Sequence, residues 1–294
     1  MKILIFGGNG FLGSEIALLL QSKKIEYYTV SRSKSTCNFK IDISNFDDFK
    51  KLPNNFFDVV INCATMLPGG HYLDNAYLDK IYSTNILGSQ NICKWIDNQK
   101  SVKKIVNCST LVVANKPWNL NINEETNTYP TGNHVLYSGS KLMQELIFAT
   151  FAKYKKLDLV QLRFSTLYGK LMPWNGIICD FIDQAKNNNA IQLSNGSQVS
   201  ADFLNVIDAA KITIASIESD IEGIVNAASG KETSLLELAN FITEIINKNI
   251  EINNSESDNF IDNRSVININ KLATIINTND FIDIKNGIKQ ILQS

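Results

Sequence analysis

The chain has 294 residues, of which 44% are hydrophobic and 19% charged, and a formal net charge of −1. That length allows one large α/β unit or two unequal lobes. The near-neutral balance gives no electrostatic reason to expect nucleic acid or an anionic membrane as partner, and no apolar run approaches the length that crosses a bilayer.

Five scattered cysteines (Cys37, Cys63, Cys93, Cys108, Cys179) lack C-x-x-C spacing and point to neither a disulfide framework nor a metal site. The segment before the first glycines is too short for a signal peptide, so the expectation is a cytoplasmic, reducing setting. Ile3 to Phe6 reads as a strand buried on both faces. Gly7, Gly8, Gly10 and Gly13 follow, and Ser14 to Leu20 has a helical pattern. Glycine there permits a sharp turn, and the backbone N–H groups around Gly10, Phe11 and Leu12 are placed to meet a diphosphate at a helix N-terminus. The triplet is read as Gly8-Gly10-Gly13 or Gly7-Gly10-Gly13. No Lys-Ser or Lys-Thr closes the loop, which argues against a triphosphate P-loop.

Glu26 to Val30 is the second expected strand, leading into Ser31-Arg32-Ser33. Arg32 lies 19 residues past Gly13, where dinucleotide folds choose between cofactors. A carboxylate there would repel a 2′-phosphate; Ser31 and Arg32 offer donors and positive charge, so NADP is expected over NAD. Ile41-Asp42-Ile43 reads as the end of a third strand, with Asp42 an acceptor for the adenine amino group and Ile43 beside it. Phe56 to Asn62 is a fourth buried strand, and the small residues Cys63, Ala64 and Thr65 at its exit suit the nicotinamide crevice. Tyr72 to Gln99 has helical spacing, with Asn85 expected to bond a loop carbonyl. Val102 to Cys108 is a fifth strand with Ser109-Thr110 at its exit, Val135 to Lys155 a helix, and Leu157 to Phe164 a sixth strand.

Beyond Phe164 the alternation loosens. Met172 to Gly176, 187–189 and 195–197 read as loops, Phe203 to Ile217 and Leu235 to Lys248 as helices, and Gly223 to Ala228 as a strand. The tail from Ile261 is expected to hold a short strand and two terminal helices. The fold class is α/β, a doubly wound parallel sheet. Residues 1–165 are expected to form the dinucleotide-binding domain, with 203–228 returning to it, and 166–294 mainly a smaller substrate lobe.

Tyr137-Ser138-Gly139-Ser140-Lys141 carries the chemistry. Tyr and Lys four apart share a helix face. A phenol is a poor acid–base catalyst near neutrality, and an ammonium held beside it lowers its pKa. Lys141 is also placed to bond the nicotinamide ribose, and the Thr110 hydroxyl would hold a substrate carbonyl or alcohol. Of the two histidines, His134 reads as a loop or capping residue and His71 as a loop residue with a minor claim on substrate.

These motifs together resemble the extended short-chain dehydrogenase/reductase family, in its nucleotide-sugar epimerase/dehydratase branch. The resemblance is carried by Gly7-x-x-Gly10-x-x-Gly13, Asp42-Ile43, Asn62-Cys63-Ala64-Thr65, Asn85 with Gly88, Ser109-Thr110, Tyr137-x-x-x-Lys141 and Arg163-Phe164-Ser165-Thr166-Leu167-Tyr168-Gly169. Asp202-Phe203 before Val206-x-Asp208 and Asn226-x-x-x-Gly230 extend it. It implies that Thr110 is the catalytic hydroxyl, Tyr137 the acid–base and Lys141 its helper. It further implies that Phe164 borders the cofactor, that the second lobe binds a nucleoside diphosphate, and that the chain forms a homodimer through its two long helices.

Three departures narrow this. Leu111 and Val112 stand where 4,6-dehydratases carry Asp-Glu, and Val112 where the GDP-fucose synthase branch has a cysteine. Ala201 replaces an arginine, which leaves Arg264 as the expected diphosphate contact, and Thr166 stands where sugar epimerases often have Asn. The expected activity is NADPH-dependent reduction of a nucleotide-linked 4-keto-6-deoxy sugar for polysaccharide synthesis. A nucleotide-sugar epimerase is the alternative, and a non-catalytic cofactor-binding protein the second.

Overall fold

The computed structural model describes residues 1–32, 36–69, 74–114, 118, 120–131, 134–246, 249–257 and 263–293. Ser33 and His71 lie outside the described residues.

Seven strands form one fully parallel sheet: β1 (Lys2–Phe6), β2 (Glu26–Ser31), β3 (Phe39–Lys40), β4 (Val59–Asn62), β5 (Lys104–Thr110), β6 (Asp158–Phe164) and a late arrival, Gly223–Ala227. The spatial order runs from β3 through β2, β1, β4, β5 and β6 to that late strand. The chain therefore winds outward from β1 in one direction, then returns to β4 and winds the other way. The reversal between β1 and β4 opens a crevice at the carboxyl ends of these strands, the usual ligand position in such sheets. Buried strands need apolar residues on both faces, and Ile3, Leu4, Ile5, Phe6, Val60 and Ile61 supply them.

Helix α1 (Phe11–Ser22) covers one face, and α2 (Asn75–Ile81), α3 (Gly88–Asp97) and α4 (Val135–Lys155) lie on the other. Ile16 and Leu20 on α1 join Ile3, Ile5 and Ile61, whereas Ile92, Trp95 and Phe148 pack on Leu4, Phe6 and Val60. Each such side chain contributes about 2 kcal/mol through burial. Helix α4 matches its expected bounds. It ends where Lys156 turns left-handed (φ 55°), after Lys153 and Lys155 have complemented the negative end of its dipole.

Past β6 the chain forms β7 (Thr166–Tyr168), α5 (Ile177–Asn188), β8 (Ala190–Ser194), β9 (Ser200–Asn205), α6 (Val206–Glu218), the sheet strand β10 (Gly223–Ala227), β11 (Glu232–Ser234), α7 (Leu235–Ile246), β12 (Glu251–Ser255) and α8 (Ile284–Leu292). α6 packs beside α1 on the large sheet, while β11, β9 and β7 form a small sheet and β12 pairs with β8. Tyr168, Phe181, Ile182, Ile191, Leu238 and Ile288 make a separate core under this second region.

Several expectations are corrected. The third strand is Phe39–Lys40, so Ile41 to Ile43 follow it rather than form it. Phe203 to Asn205 belong to a strand, and the helix starts at Val206. Among its described residues the tail has one α-helix, two 3-10 turns and single β-bridges at Asn263 and Ile267. No described helix is long and apolar enough to cross a membrane.

Candidate active site at the sheet switch point

The first turn shows why glycine is required there. Gly7 has φ +76°, and a Cβ on it would lie 2.7 Å from the Ala64 backbone nitrogen, so the turn presses directly against the exit of β4. A Cβ on Gly13 would overlap the Gly7 carbonyl oxygen, so α1 could not seat on the turn. Gly7 and Gly8 N–H groups donate to the Val30 carbonyl at 3.0 and 3.2 Å, tying the turn to β2. Gly10 is the N-cap of α1 and offers no side-chain cap, which leaves the first-turn N–H groups facing outward. The turn is thus a backbone cradle that fits a dinucleotide diphosphate.

A cavity of about 470 Å³ runs from this cradle across the carboxyl ends of β4, β5 and β6. It gathers Gly10, Phe11, Leu12, Cys63, Thr65, Thr110, Tyr137, Lys141, Phe164 and Thr166, all expected from sequence. Gly7 and Ala64 lie in contact beneath it. Ser31 and Arg32 end β2 on the same side of the sheet, with Arg32 exposed.

Three expected contacts are not brought together. The Asp42 carboxylate accepts from the Ser44 N–H at 3.0 Å and the Ser44 hydroxyl at 2.7 Å, so it is used in its own turn. Ile43 is a core residue: its side chain occupies the space that a Cβ on Gly88 would need, and its carbonyl accepts from Asn91 at 2.8 Å. Arg264 makes a two-pronged ion pair with Glu232 (Nε–Oε1 2.8 Å, Nη2–Oε2 2.5 Å) and is not among the residues lining the cavity.

The catalytic wall is held from behind by buried polar groups. Lys141 is 2% exposed; its ammonium donates to the Cys108 carbonyl at 2.7 Å and to Gln144 Oε1, leaving one of its three protons for the cavity. Burial lowers the Lys141 pKa from 10.5 to about 8. Glu145, one residue on, takes both nitrogens of the buried Arg163 fork (3.0 and 2.8 Å) and the Ser109 hydroxyl at 2.5 Å, which fixes the end of β5 beside Thr110. Side-chain amides continue the frame: Asn62 donates to Asn107, Asn107 to Gln161, and Gln161 to the Glu145 carbonyl.

Asn85 behaves as expected. It sits in a π-type turn (Tyr82–Leu87) that aims its amide at the loop, where it donates to the Met66 carbonyl (3.2 Å) and to Ser140 (2.9 Å) and accepts from the Met66 N–H (2.7 Å). Its bonds join the loop after β4 to the helix that carries Tyr137.

The Tyr137 phenol differs from expectation. Burial, with a smaller contribution from Tyr77, pushes it above the tyrosine range, and Lys141 is engaged elsewhere. The resting phenol is therefore protonated. His134, at the N-cap of α4, does line the cavity. Sequence reasoning missed Cys108, Gln144 and Glu145; the stretch Met172 to Ile178, in sequence a loop of underivable shape, closes the far wall with Met172, Pro173, Ile177 and Ile178. A signal for two of them existed: Gln144 and Glu145 follow Lys141 by three and four residues, one helical turn on.

Among the described residues, no aspartate, glutamate or arginine lines this cavity. Val112 faces it and Leu111 is buried, so the two positions after Thr110 supply no acid–base pair.

The dTDP-D-glucose 4,6-dehydratase of Dictyostelium discoideum is 28% identical over 269 residues, covering 83% of this chain and 62% of that protein. Protein CapI of Staphylococcus aureus is 29% identical over 237 residues, covering 71% of this chain and 66% of its own. The chain thus spans under two thirds of the length of these two relatives. A UDP-glucuronate 4-epimerase of Thermodesulfobacterium geofontis is 24% identical, with 98% of this chain and 89% of that protein covered.

Among solved structures, the Thermus thermophilus UDP-glucose 4-epimerase in complex with NAD superposes with a TM-score of 0.81 over 100% of this chain and 98% of that one, at 20% identity. The Bacillus cereus UDP-glucuronic acid 4-epimerase, in complex with UDP-glucuronic acid and NAD, gives the same score, coverage and identity. At these identities the likeness is one of fold. A model of the NAD dependent epimerase/dehydratase family matches residues 3–228. That span holds both the glycine turn and the Tyr137–Lys141 helix, and the chain belongs to this family.

Proposed function

We propose that the chain interconverts epimers of a nucleotide-diphosphate sugar by passing a hydride between a sugar carbon and a bound nicotinamide dinucleotide. One observation carries the reading: Thr110, Tyr137 and Lys141 meet in a single cavity, reached by the glycine cradle, with no carboxylate lining it among the described residues. Eliminating water needs a separate acid and base, so dehydratase chemistry has no evident catalyst here.

A nicotinamide dinucleotide held here would supply a reversible hydride acceptor. The backbone around Gly10, Phe11 and Leu12 binds the diphosphate, and small Cys63, Ala64 and Thr65 leave room beside Phe164. Tyr137 Oη moves the proton of the reacting hydroxyl or keto oxygen, Thr110 Oγ1 donates to that oxygen, and Lys141 supplies positive charge below both. The apolar far wall of Met172, Ile177 and Phe203 excludes water.

A second reading, NADPH-dependent reduction of a 4-keto-6-deoxy sugar nucleotide for polysaccharide synthesis, is favoured by two observations. Arg32 is exposed at the end of β2, where it suits a 2′-phosphate, and burial pushes the Tyr137 phenol up, which favours its acid form. Incubating the purified chain with NADPH and a 4-keto sugar nucleotide separates the two. Stoichiometric loss of NADPH absorbance supports reduction; no loss there, with the corresponding 4-hydroxy sugar nucleotide interconverted to its epimer without added NADPH, supports epimerisation.

A homodimer fits the same picture. Tyr82 and Leu87 on the π-type turn, with Val135, Met143, Leu146 and Tyr154 on α4, expose large apolar surface on the two long helices. Sedimentation at micromolar concentration tests it.

A further inference from the structure

Cys63 and Cys108 are not explained by the hydride chemistry. Cys63 directly follows β4 and Cys108 lies in β5. The adjacent parallel strands pair Asn62 with Asn107, so the two cysteines are the next neighbours in register. Their Sγ atoms are 3.3 Å apart, and both line the cavity. Cys37, Cys93 and Cys179 are absent from that lining. The pair also touches the catalytic frame, because the Cys108 carbonyl holds the Lys141 ammonium at 2.7 Å.

We propose that Cys63 and Cys108 are a reversible redox site: a small peroxide entering the cavity oxidises them to a disulfide that shuts the active site. Cys63, half-buried where Cys108 is almost wholly buried, meets the peroxide first. Its thiolate sulfur attacks one peroxide oxygen; the S–O bond forms, the O–O bond breaks and water leaves. Cys108 Sγ then attacks the Cys63 sulfur; the S–S bond forms, the S–O bond breaks and a second water leaves with the remaining protons. Two thiols lose two electrons and two protons, and one peroxide becomes two waters.

Closing the bond brings the sulfurs from 3.3 Å to about 2 Å across the cavity wall, beside the Cys108 carbonyl that holds Lys141. The hydrogen bond with Cys108 and burial push the Cys63 thiol up, opposed by the Lys141 charge, so thiolate is scarce and oxidation slow.

The link to regulation rests on the cavity being the dinucleotide site; the thiol chemistry does not. The full-length chain is treated with hydrogen peroxide, and its peptides are mapped without reduction. The expected result is a peptide pair joined through Cys63 and Cys108, lighter by two hydrogens, with loss of turnover that dithiothreitol restores. Cys108→Ala should accumulate oxygen on Cys63 instead, and Cys37→Ser should still form the link. Oxygen added to wild-type Cys63 without linkage, or a link that leaves turnover intact, overturns the proposal. Bound NAD or NADP should slow linkage; linkage unslowed by either would count against the dinucleotide reading while leaving the thiol pair standing.

Discussion

The two walls of the cavity are built differently. On the α4 side, Lys141, Gln144, Glu145 and Arg163 are buried and bonded to one another or to the strand ends, and a ladder of amides from Asn62 to Gln161 ties them to the sheet. On the opposite side, Met172 and Pro173 come from a loop, Ile177 and Ile178 from the start of α5 and Phe203 from β9, and they offer mostly apolar surface. The contrast separates two tasks. Proton and charge placement demands a fixed geometry, which buried hydrogen bonds enforce. Enclosing a substrate demands shape, and loops can vary shape without disturbing the catalytic frame.

The sharpest way to break this contrast is on the polar wall. Tyr137→Phe removes the proton carrier while keeping the ring, and should lower turnover about 10³-fold with dinucleotide binding retained. An activity near wild type would remove Tyr137 from the chemistry.

Glu145→Gln leaves the Arg163 charge, 3% exposed, without its counter-ion and should destabilise the chain by about 3–5 kcal/mol, read by denaturant unfolding. A small effect would mean that the frame is not held by this pair.

Lys141 sharpens the comparison through pH. Its folded pKa of about 8 lies below the ordinary 10.5, so between these values the unfolded chain binds a proton that the folded chain does not. Its contribution to stability therefore rises with pH across that window, even as the ammonium needed at the site is lost. Turnover should fall above about pH 8 in the wild type, and Lys141→Arg, charged throughout, should lack that limb whatever its absolute rate.

The smallest effect belongs outside both walls. Arg264→Ala breaks a half-exposed ion pair, and should cost under about 1 kcal/mol with substrate KM unchanged. A raised KM would restore Arg264 as a diphosphate contact.

On the polar wall the sequence pointed to Thr110, Tyr137 and Lys141 but not to Gln144 and Glu145, and on the apolar wall to hardly any residue. Buried parallel strands announce themselves as short apolar runs, and the Gly7–Gly13 turn and the Tyr137–Lys141 spacing are local patterns whose meaning survives without coordinates. Glu145 and Arg163 meet only through tertiary packing between α4 and β6. In the second region, Ile178, Phe181, Ile182 and Ala185 do repeat at helical spacing, but Pro173, Gly176 and the asparagines at 187–189 frame them as loop. β12 reads Glu-Ile-Asn-Asn-Ser, too polar to signal a strand, and it forms only by pairing with β8. At Asn205 the chain passes from strand to helix without a breaking residue, so Phe203 to Asn205 merged with the helix that follows.

The central claim is that the hydrogen on the reacting carbon travels as hydride, with Tyr137 handling only the proton on oxygen. Turnover of a nucleotide sugar in deuterium oxide tests it most directly. The account predicts product whose reacting carbon still carries protium; deuterium from solvent at that carbon would contradict it.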